Sequence, residues 1–399
     1  MRSRKFQLIF LVVALLLDLY IFQGVKALSV GLADPWQTCI YGIYWTISIL
    51  ALLTFFLLPY LVHRAPRTYS YIFTIIIGLY LGKLVAAIFL LIDDLRRIIQ
   101  WAIGKGVSRS PFLTWLGFGL GGGVFSSLIY GFGNKYNYKI HRHQLKYDKL
   151  PAGFKGFKIV QLSDIHSGSF ADPAAVNKGI DMILAEKPDI ILFTGDLVNN
   201  IATEMKDYKA LFARLKAPMG VYSVLGNHDY GDYIWWETTE LKTANLDTLK
   251  QIQANMGWKL LMNEHVVLEK GGDKIALLGI ENWSAKARFP KYGKMSEAYA
   301  GTEKYPIKIL MSHDPSHWDA EVRPHYPDID LALAGHTHGM QWGIELPGIK
   351  WSPVNFVYRQ WGGLYEEGKQ KLYVNRGFGF IGYPGRFGIL PEITVIELV

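Results

Sequence analysis

Residues 157–168 read FKIVQLSDIHSG. Six residues, half of them β-branched or aromatic, give way to Ser, Asp, His, Ser and Gly. A run of that length bounded by turn residues reads as a strand, and it delivers two side chains able to hold a cation. The arrangement recurs along the chain. Residues 190–193 run into TGDLVNN (194–200), 221–225 into GNHD (226–229), 307–311 into SHD (312–314) and 331–334 into GHTHG (335–339). Further strands are expected at 275–280, 371–374 and 393–398, with helices over 173–187, 202–216 and 233–256. Strands alternating with helices, with Gly, Pro and polar residues at the strand ends, describe an α/β domain whose chemistry lies past those ends.

Eight residues able to coordinate a metal follow five of these strands: Asp164, His166, Asp196, Asn227, His228, His313, His336 and His338. Five of the 11 histidines are among them. A single scattered histidine is usually a satisfied core donor, but a whole set placed after strands and beside Gly, Ser or Asn points to one shared site. In Asp164-Ile165-His166 two ligands flank a residue that packs inward, so both can turn toward one ion; His336-Thr337-His338 repeats the device. Carboxylate and amide oxygens with imidazoles, and no thiolate, suit Mn, Fe or Zn better than a soft metal. The single cysteine, Cys39, excludes an intramolecular disulfide and a cysteine-cluster zinc site. The inventory exceeds the needs of one four-coordinate ion. Two ions about 3.5–4 Å apart, bridged by a carboxylate, would use it.

The chain has 399 residues, long enough for more than one structural unit. Its charge is unevenly placed: residues 1–130 hold 11 Lys and Arg against 4 Asp and Glu, and residues 131–399 hold 31 against 30. Four apolar stretches, 6–25, 40–62, 69–92 and 112–132, each reach the roughly 20 residues that cross about 30 Å of hydrocarbon. Residues 1–132 therefore read as a transmembrane bundle, 133–155 as a connector and 156–399 as the catalytic domain. The first stretch reads as a retained helix because no small-residue cleavage site follows it. Counting Lys and Arg near the span ends gives ten on the N-terminal side against five, which places the catalytic domain in the cytoplasm. Four of those five lie in the loop 93–111, where an interfacial helix is expected around 95–103. Asp18 and Lys83 fall inside spans at similar depth; an ion pair that packs the bundle and a polar headgroup site are both open readings. A basic apolar segment fits a membrane partner, and no nucleic-acid partner is expected.

The ordered blocks DIH, GD, GNHD, a later His and GHTH resemble the calcineurin-like metallophosphoesterase family. The resemblance spans 164–338; each block is short, but the ordered set is specific. It implies a β-sandwich flanked by helices and a dinuclear centre of divalent ions. Asp164, His166, Asp196 and His338 would hold one ion, and Asp196, Asn227, His313 and His336 the other, with Asp196 as the bridge. His228 would stabilise transition-state charge or protonate the leaving group, and Asp229 would orient it. Many members continue the second block as GDxxD; here Asn199 stands at that place, a neutral partner. The tail from 363 onward resembles a membrane-associated branch of the family, in which Arg376 or Arg386 would contact a phosphate oxygen.

These readings together imply a membrane-anchored hydrolase that cleaves a phosphodiester or pyrophosphate bond, attacked by a metal-activated water. Anchoring beside headgroups raises the effective concentration of embedded esters, which favours a lipid or lipid-linked substrate. Alternatives are a broad phosphodiesterase on soluble nucleotides, with the spans as a plain anchor, and a non-catalytic adaptor or transport module.

Overall fold

The structure, a computed structural model, describes residues 2–62, 64–286, 289 and 291–399, with backbone alone for residues 2, 3, 4 and 6. The side chains of Arg2 and Arg4, which enter the orientation count, thus lie outside the described residues. Two compact units divide the chain, Met1–Phe132 and Gly133–Val399.

The first unit is four helices: α1 (Arg2–Ser29), α2 (Asp34–Leu61), α3 (Pro66–Ala102) and α4 (Pro111–Gly131). All four are long and apolar enough to cross a membrane. Pro at the first turn of α2, α3 and α4 sits where its missing N–H has no helical partner to lose. The expected interfacial helix around 95–103 is instead the continuation of α3, which runs unbroken for 37 residues. Asp93 and Asp94 on that extension bind Arg96, Arg97 and Arg109, so the loop's positive charge is largely paired. Helices α3 and α4 meet through glycine: a Cβ on Gly121 would run into the Gly82 carbonyl, and one on Gly82 would lie 2.7 Å from the Gly121 carbonyl. Asp18 and Lys83 form an ion pair inside the unit. Ser48 Oγ and Tyr80 Oη donate to the same carboxylate at 2.9 Å each, and Tyr44 Oη to the Asp18 main-chain oxygen at 2.7 Å.

The second unit is a sandwich of two six-stranded sheets. One sheet runs β1 (Lys139–Leu145), β14 (Glu392–Leu398), β2 (Phe157–Leu162), β3 (Ile190–Phe193), β4 (Val221–Ser223), β5 (Trp258–Leu260). The other runs β12 (Gly363–Glu367), β13 (Gln370–Val374), β9 (Leu331–Ala334), β8 (Lys308–Met311), β7 (Asp273–Gly279), β6 (Glu264–Lys270). Between them lies a core that includes Phe157, Ile159, Leu192, Leu277, Ile309, Leu333 and Ile396. Helices α5 (Pro173–Ala185), α6 (Lys209–Phe212) and α7 (Thr239–Met256) belong to the layer on the outer face of the first sheet; α8 (Met295–Tyr299) packs outside the second. Central strands are buried on both faces and read as continuous apolar runs. The small hairpin β10 (Ile344–Leu346) and β11 (Ile349–Trp351) stands apart from both sheets.

Within the second unit the structure also departs from the sequence reading in three stretches. Residues 133–155 hold β1, which pairs in parallel with β14 along seven residues, so the stretch is part of the sandwich rather than a linker. The helix expected over 202–216 is a 3-10 turn followed by the four-residue α6, because the Glu204 carboxylate accepts the N–H groups of Asn199, Asn200 and Ile201 and ties the segment into a turn. Helix α7 begins at Thr239, with Thr238 as its N-cap, so Trp235 and Trp236 precede it.

Candidate metal centre

Strands β2, β3 and β4 are parallel neighbours in one sheet, and β8 and β9 in the other. Each pair of neighbours therefore ends at a common edge, and the five loops that follow carry the eight residues singled out above. Local backbone makes their convergence possible. Among the described residues nine non-glycines have positive φ, and five of them are Asp164, His166, Asp196, His336 and His338. Left-handed backbone costs such residues about 1–3 kcal/mol each and persists where the surroundings over-determine it, typically at functional sites. Glycines make room: a Cβ on Gly226 would strike the Asp196 carboxylate, and one on Gly335 the Asp164 carboxylate.

Two clusters of ligand atoms result, Asp164 with His166 and His338, and Asp196 with His313 and His336. His338 Nε2 lies 3.2 Å from Asp164 Oδ1 and 3.1 Å from His166 Nε2. Asp196 Oδ2 stands between the clusters, 3.5 Å from His166 Nε2 and 3.2 Å from His313 Nε2. Asn227 Oδ1 joins the second cluster at 2.7 Å from His336 Nδ1, itself 3.3 Å from His313 Nε2. Imidazole nitrogens that face one another at 3.1 and 3.3 Å need a proton or a cation between them to avoid opposing lone pairs. The donor set thus fits a pair of borderline divalent ions.

Charge and hydrogen bonding agree with that fit. Burial favours the neutral forms of Asp164 and Asp196, yet His338 beside the first and His313 beside the second hold both well below the usual carboxylate range. Burial also drives His166, His336 and His338 below their ordinary value, toward the neutral ring that offers a lone pair. For His313 burial is outweighed by the Asp196 carboxylate, which pushes it up to about 10, so the pocket draws positive charge. His313 Nδ1 donates to the Thr194 carbonyl at 2.7 Å, which leaves Nε2 facing Asp196. His336 Nε2 lies 2.9 Å from Tyr358 Oη, and that hydroxyl donates to Asp314 Oδ2 at 3.1 Å.

His228 occupies the wall of the cleft beside His166, their rings 5.0 Å apart. Its Nδ1 donates to the Asn199 carbonyl at 2.7 Å. Asp229, which the resemblance implies as its orienter, does something else: its carboxylate accepts the N–H groups of Asp196, Leu197 and Gly226 at 2.8–2.9 Å and so fixes the loop that carries Asp196. Arg376 and Arg386 are also corrected. Both are buried, at 3% and 0% exposure, and neither lines the cleft. Arg376 is held by Glu392 and Glu345, and Arg386 donates to the carbonyls of Arg376, Gly377 and Gly379. Their Nε groups have no hydrogen-bond partner but are buried away from the cleft, so neither guanidinium is presented to a phosphate there. Sequence reasoning missed Tyr358 and Asp314; Asp314 was visible in SHD, whereas no motif surrounds Tyr358.

The cleft above the clusters measures about 450 Å³. Its floor is polar, with His166, Asp196, Asn227 and His336, and its upper wall apolar, with Phe289, Met340, Val354, Val357 and Ile381.

Fold and site together define a phosphoester hydrolase of the metallophosphoesterase class. Residues 3–134 match the model of a probable calcineurin-like phosphoesterase transmembrane domain, and residues 157–340 that of the calcineurin-like phosphoesterase domain. The uncharacterized metallophosphoesterase YkuE of Bacillus subtilis is 32% identical over 310 residues, which cover 74% of this chain and 98% of that one. A transmembrane protein with metallophosphoesterase domain from Danio rerio is 30% identical over 263 residues, 64% of this chain but only 56% of the relative. The UDP-2,3-diacylglucosamine pyrophosphatase LpxG of Chlamydia muridarum is 27% identical over 308 residues, 65% of this chain and 88% of that one. The chain belongs to the calcineurin-like phosphoesterase family, in a form whose catalytic unit follows four membrane-spanning-length helices.

Proposed function

We propose that this protein cleaves a phosphodiester or pyrophosphate bond in a lipid or lipid-linked substrate, with its catalytic unit on the cytoplasmic side. The observation that carries the reading is the meeting of two carboxylate–imidazole clusters around Asp196, under an apolar-walled cleft, in a chain with four spans. The likeness to a chlamydial protein named as a diacylglucosamine pyrophosphatase supports the lipid assignment. Asp164, His166, Asp196 and His338 would hold one divalent ion, and Asp196, Asn227, His313 and His336 a second. Such ions supply a water of lowered pKa and positive charge for the phosphoryl oxygens. Asp196 ties the two halves of the site together. His228, anchored through Nδ1 to Asn199, has Nε2 left to meet the leaving oxygen; as an imidazolium, protonated on both nitrogens, it would stabilise the developing charge and give the Nε2 proton to that oxygen. Tyr358 and Asp314 fix the His336 ring.

The test compares turnover and metal content of the full chain in lipid nanodiscs. Asp196→Ala is expected to lose both ions and all turnover. His228→Ala is expected to retain metal and lose about 10²–10⁴ in rate. A kcat/KM on a lipid pyrophosphate above that on a soluble nucleotide diester supports the lipid reading; the reverse order replaces it with a soluble-nucleotide phosphodiesterase.

A further inference from the structure

The hairpin of β10 and β11 is built inside out. Its register pairs Ile344 with Trp351, Glu345 with Lys350 and Leu346 with Ile349, so the four apolar side chains share one face and the two charged ones the other. The charged groups reach back to the protein, although Lys350 as a residue is exposed and Glu345 half-buried. Glu345 is bonded by Arg376, and the Lys350 ammonium reaches the Gly362 carbonyl and lies 4.5 Å over the Trp361 ring. The apolar face is turned out: Leu346 is 60% exposed and Ile349 57%. On either side of the hairpin in the chain stand Met340 and Val357, both exposed and both lining the cleft, and next to Val357 is Phe356, 83% exposed. Exposed apolar side chains thus stand both at the cleft's edge and along the hairpin to its tip.

We propose that this hairpin is a lipid-docking tongue that inserts its outer face into the interfacial region of the bilayer beside the cleft. An ion pair at Glu345 and polar contacts at Lys350 that pin a hairpin by its charged side chains, while Leu, Ile and Trp are held outward, make no sense against water. They do against an apolar phase with a wet boundary, where aliphatic side chains sink and Trp settles at headgroup level. The face comprises four hairpin side chains with Met340, Phe356 and Val357. That is on the order of a few hundred Å², short of the roughly 800 Å² per partner that a stable protein interface buries. A chain with four spans keeps bilayer permanently within tether reach. The proposal rests on the reading of this protein as a membrane-bound hydrolase only for the identity of that surface.

The test uses the full chain with Cys39→Ser, in nanodiscs of equimolar phosphatidylcholine and phosphatidylglycerol. Single cysteines are introduced by Leu346→Cys, Ile349→Cys or, on the exposed turn at the far end of β13, Lys369→Cys, and each is labelled with an environment-sensitive fluorophore. Probes at 346 and 349 are expected to shift to the blue and lose emission when brominated acyl chains replace ordinary ones, while the probe at 369 does neither and is quenched by aqueous iodide. Iodide quenching at 346 and 349 equal to that at 369 overturns the proposal. So does shielding from both quenchers, which would mean a second copy or another protein covers the face, and so does lipid quenching of all three alike. Two positions guard against misfolding of either variant. The readout needs no turnover, so lipid contact without hydrolysis would sink the enzymatic reading and leave the tongue standing.

Discussion

At the scale of single residues, the site is held by groups outside the ligand set as well as by the ligands. Tyr358 reaches His336 Nε2 and passes its own proton toward Asp314. Tyr358→Phe should weaken metal retention by about 10–100-fold, read by competition with a chelator on the full chain; an unchanged retention curve would remove Tyr358 from the site. Glu392 allows a prediction in pH. Burial favours its neutral form, but Arg376 outweighs burial and holds the carboxyl at about 2, below the ordinary 4.5. Because the folded value is the lower one, the stabilisation of ~3 kcal/mol is complete above about pH 4.5 and disappears as pH falls toward 2. Thermal unfolding of the full chain in detergent should therefore fall steeply across that window and more gently in Glu392→Gln; parallel curves would contradict the assignment. Most ligand residues were legible because they sit within two residues of a partner or next to a glycine that the turn requires; His313 was marked only by its place just after a strand. Tyr358 was not, since it arrives from a loop 22 residues beyond His336 with nothing local to mark it. Arg376 and Arg386 misled for a related reason: sequence shows a charge but not the Glu392 carboxylate and backbone carbonyls that consume it.

At the scale of elements, periodicity revealed what is buried on both faces and passed over what is buried on one. β3 and β9 are continuous apolar runs, whereas β1, KIHRHQL, is an edge strand with one wet face and reads as a polar connector. Hydropathy found four spans but could not say which glycines in α4 bear on α3. The contacts separate them: Gly121 abuts Gly82, while a Cβ on Gly119 meets nothing within 4 Å. Gly121→Leu should force the backbones apart at a cost of about 1–3 kcal/mol or more. It should lower the yield of monodisperse protein in detergent, with Gly119→Leu indistinguishable from the parent by size-exclusion profile and melting temperature. Equal behaviour of the two variants would place the helix contact elsewhere.

At the scale of the whole molecule, the two units divide the proposed function: the candidate metal ligands all lie within residues 133–399, and the proposed orientation rests on the positive charges flanking the spans. The sandwich itself was legible only through family resemblance, because alternation of strands and helices fits an open sheet equally well. The cytoplasmic placement predicts that Lys369→Cys, in a Cys39→Ser background, stays unlabelled by a membrane-impermeant maleimide in intact cells and reacts once they are permeabilised. Labelling without permeabilisation would invert the topology. The Asp18–Lys83 pair also bears on how the protein is made. Each of α1 and α3 must carry a charge past the centre of the bilayer, at about 2.5–3.5 kcal/mol on the scale of insertion by the translocon, and neither can be neutralised by the other until 65 further residues have been synthesised. The first helix should therefore wait, loosely inserted or still beside the translocon, for the third to leave the ribosome, so that order of birth and order of assembly differ in this chain.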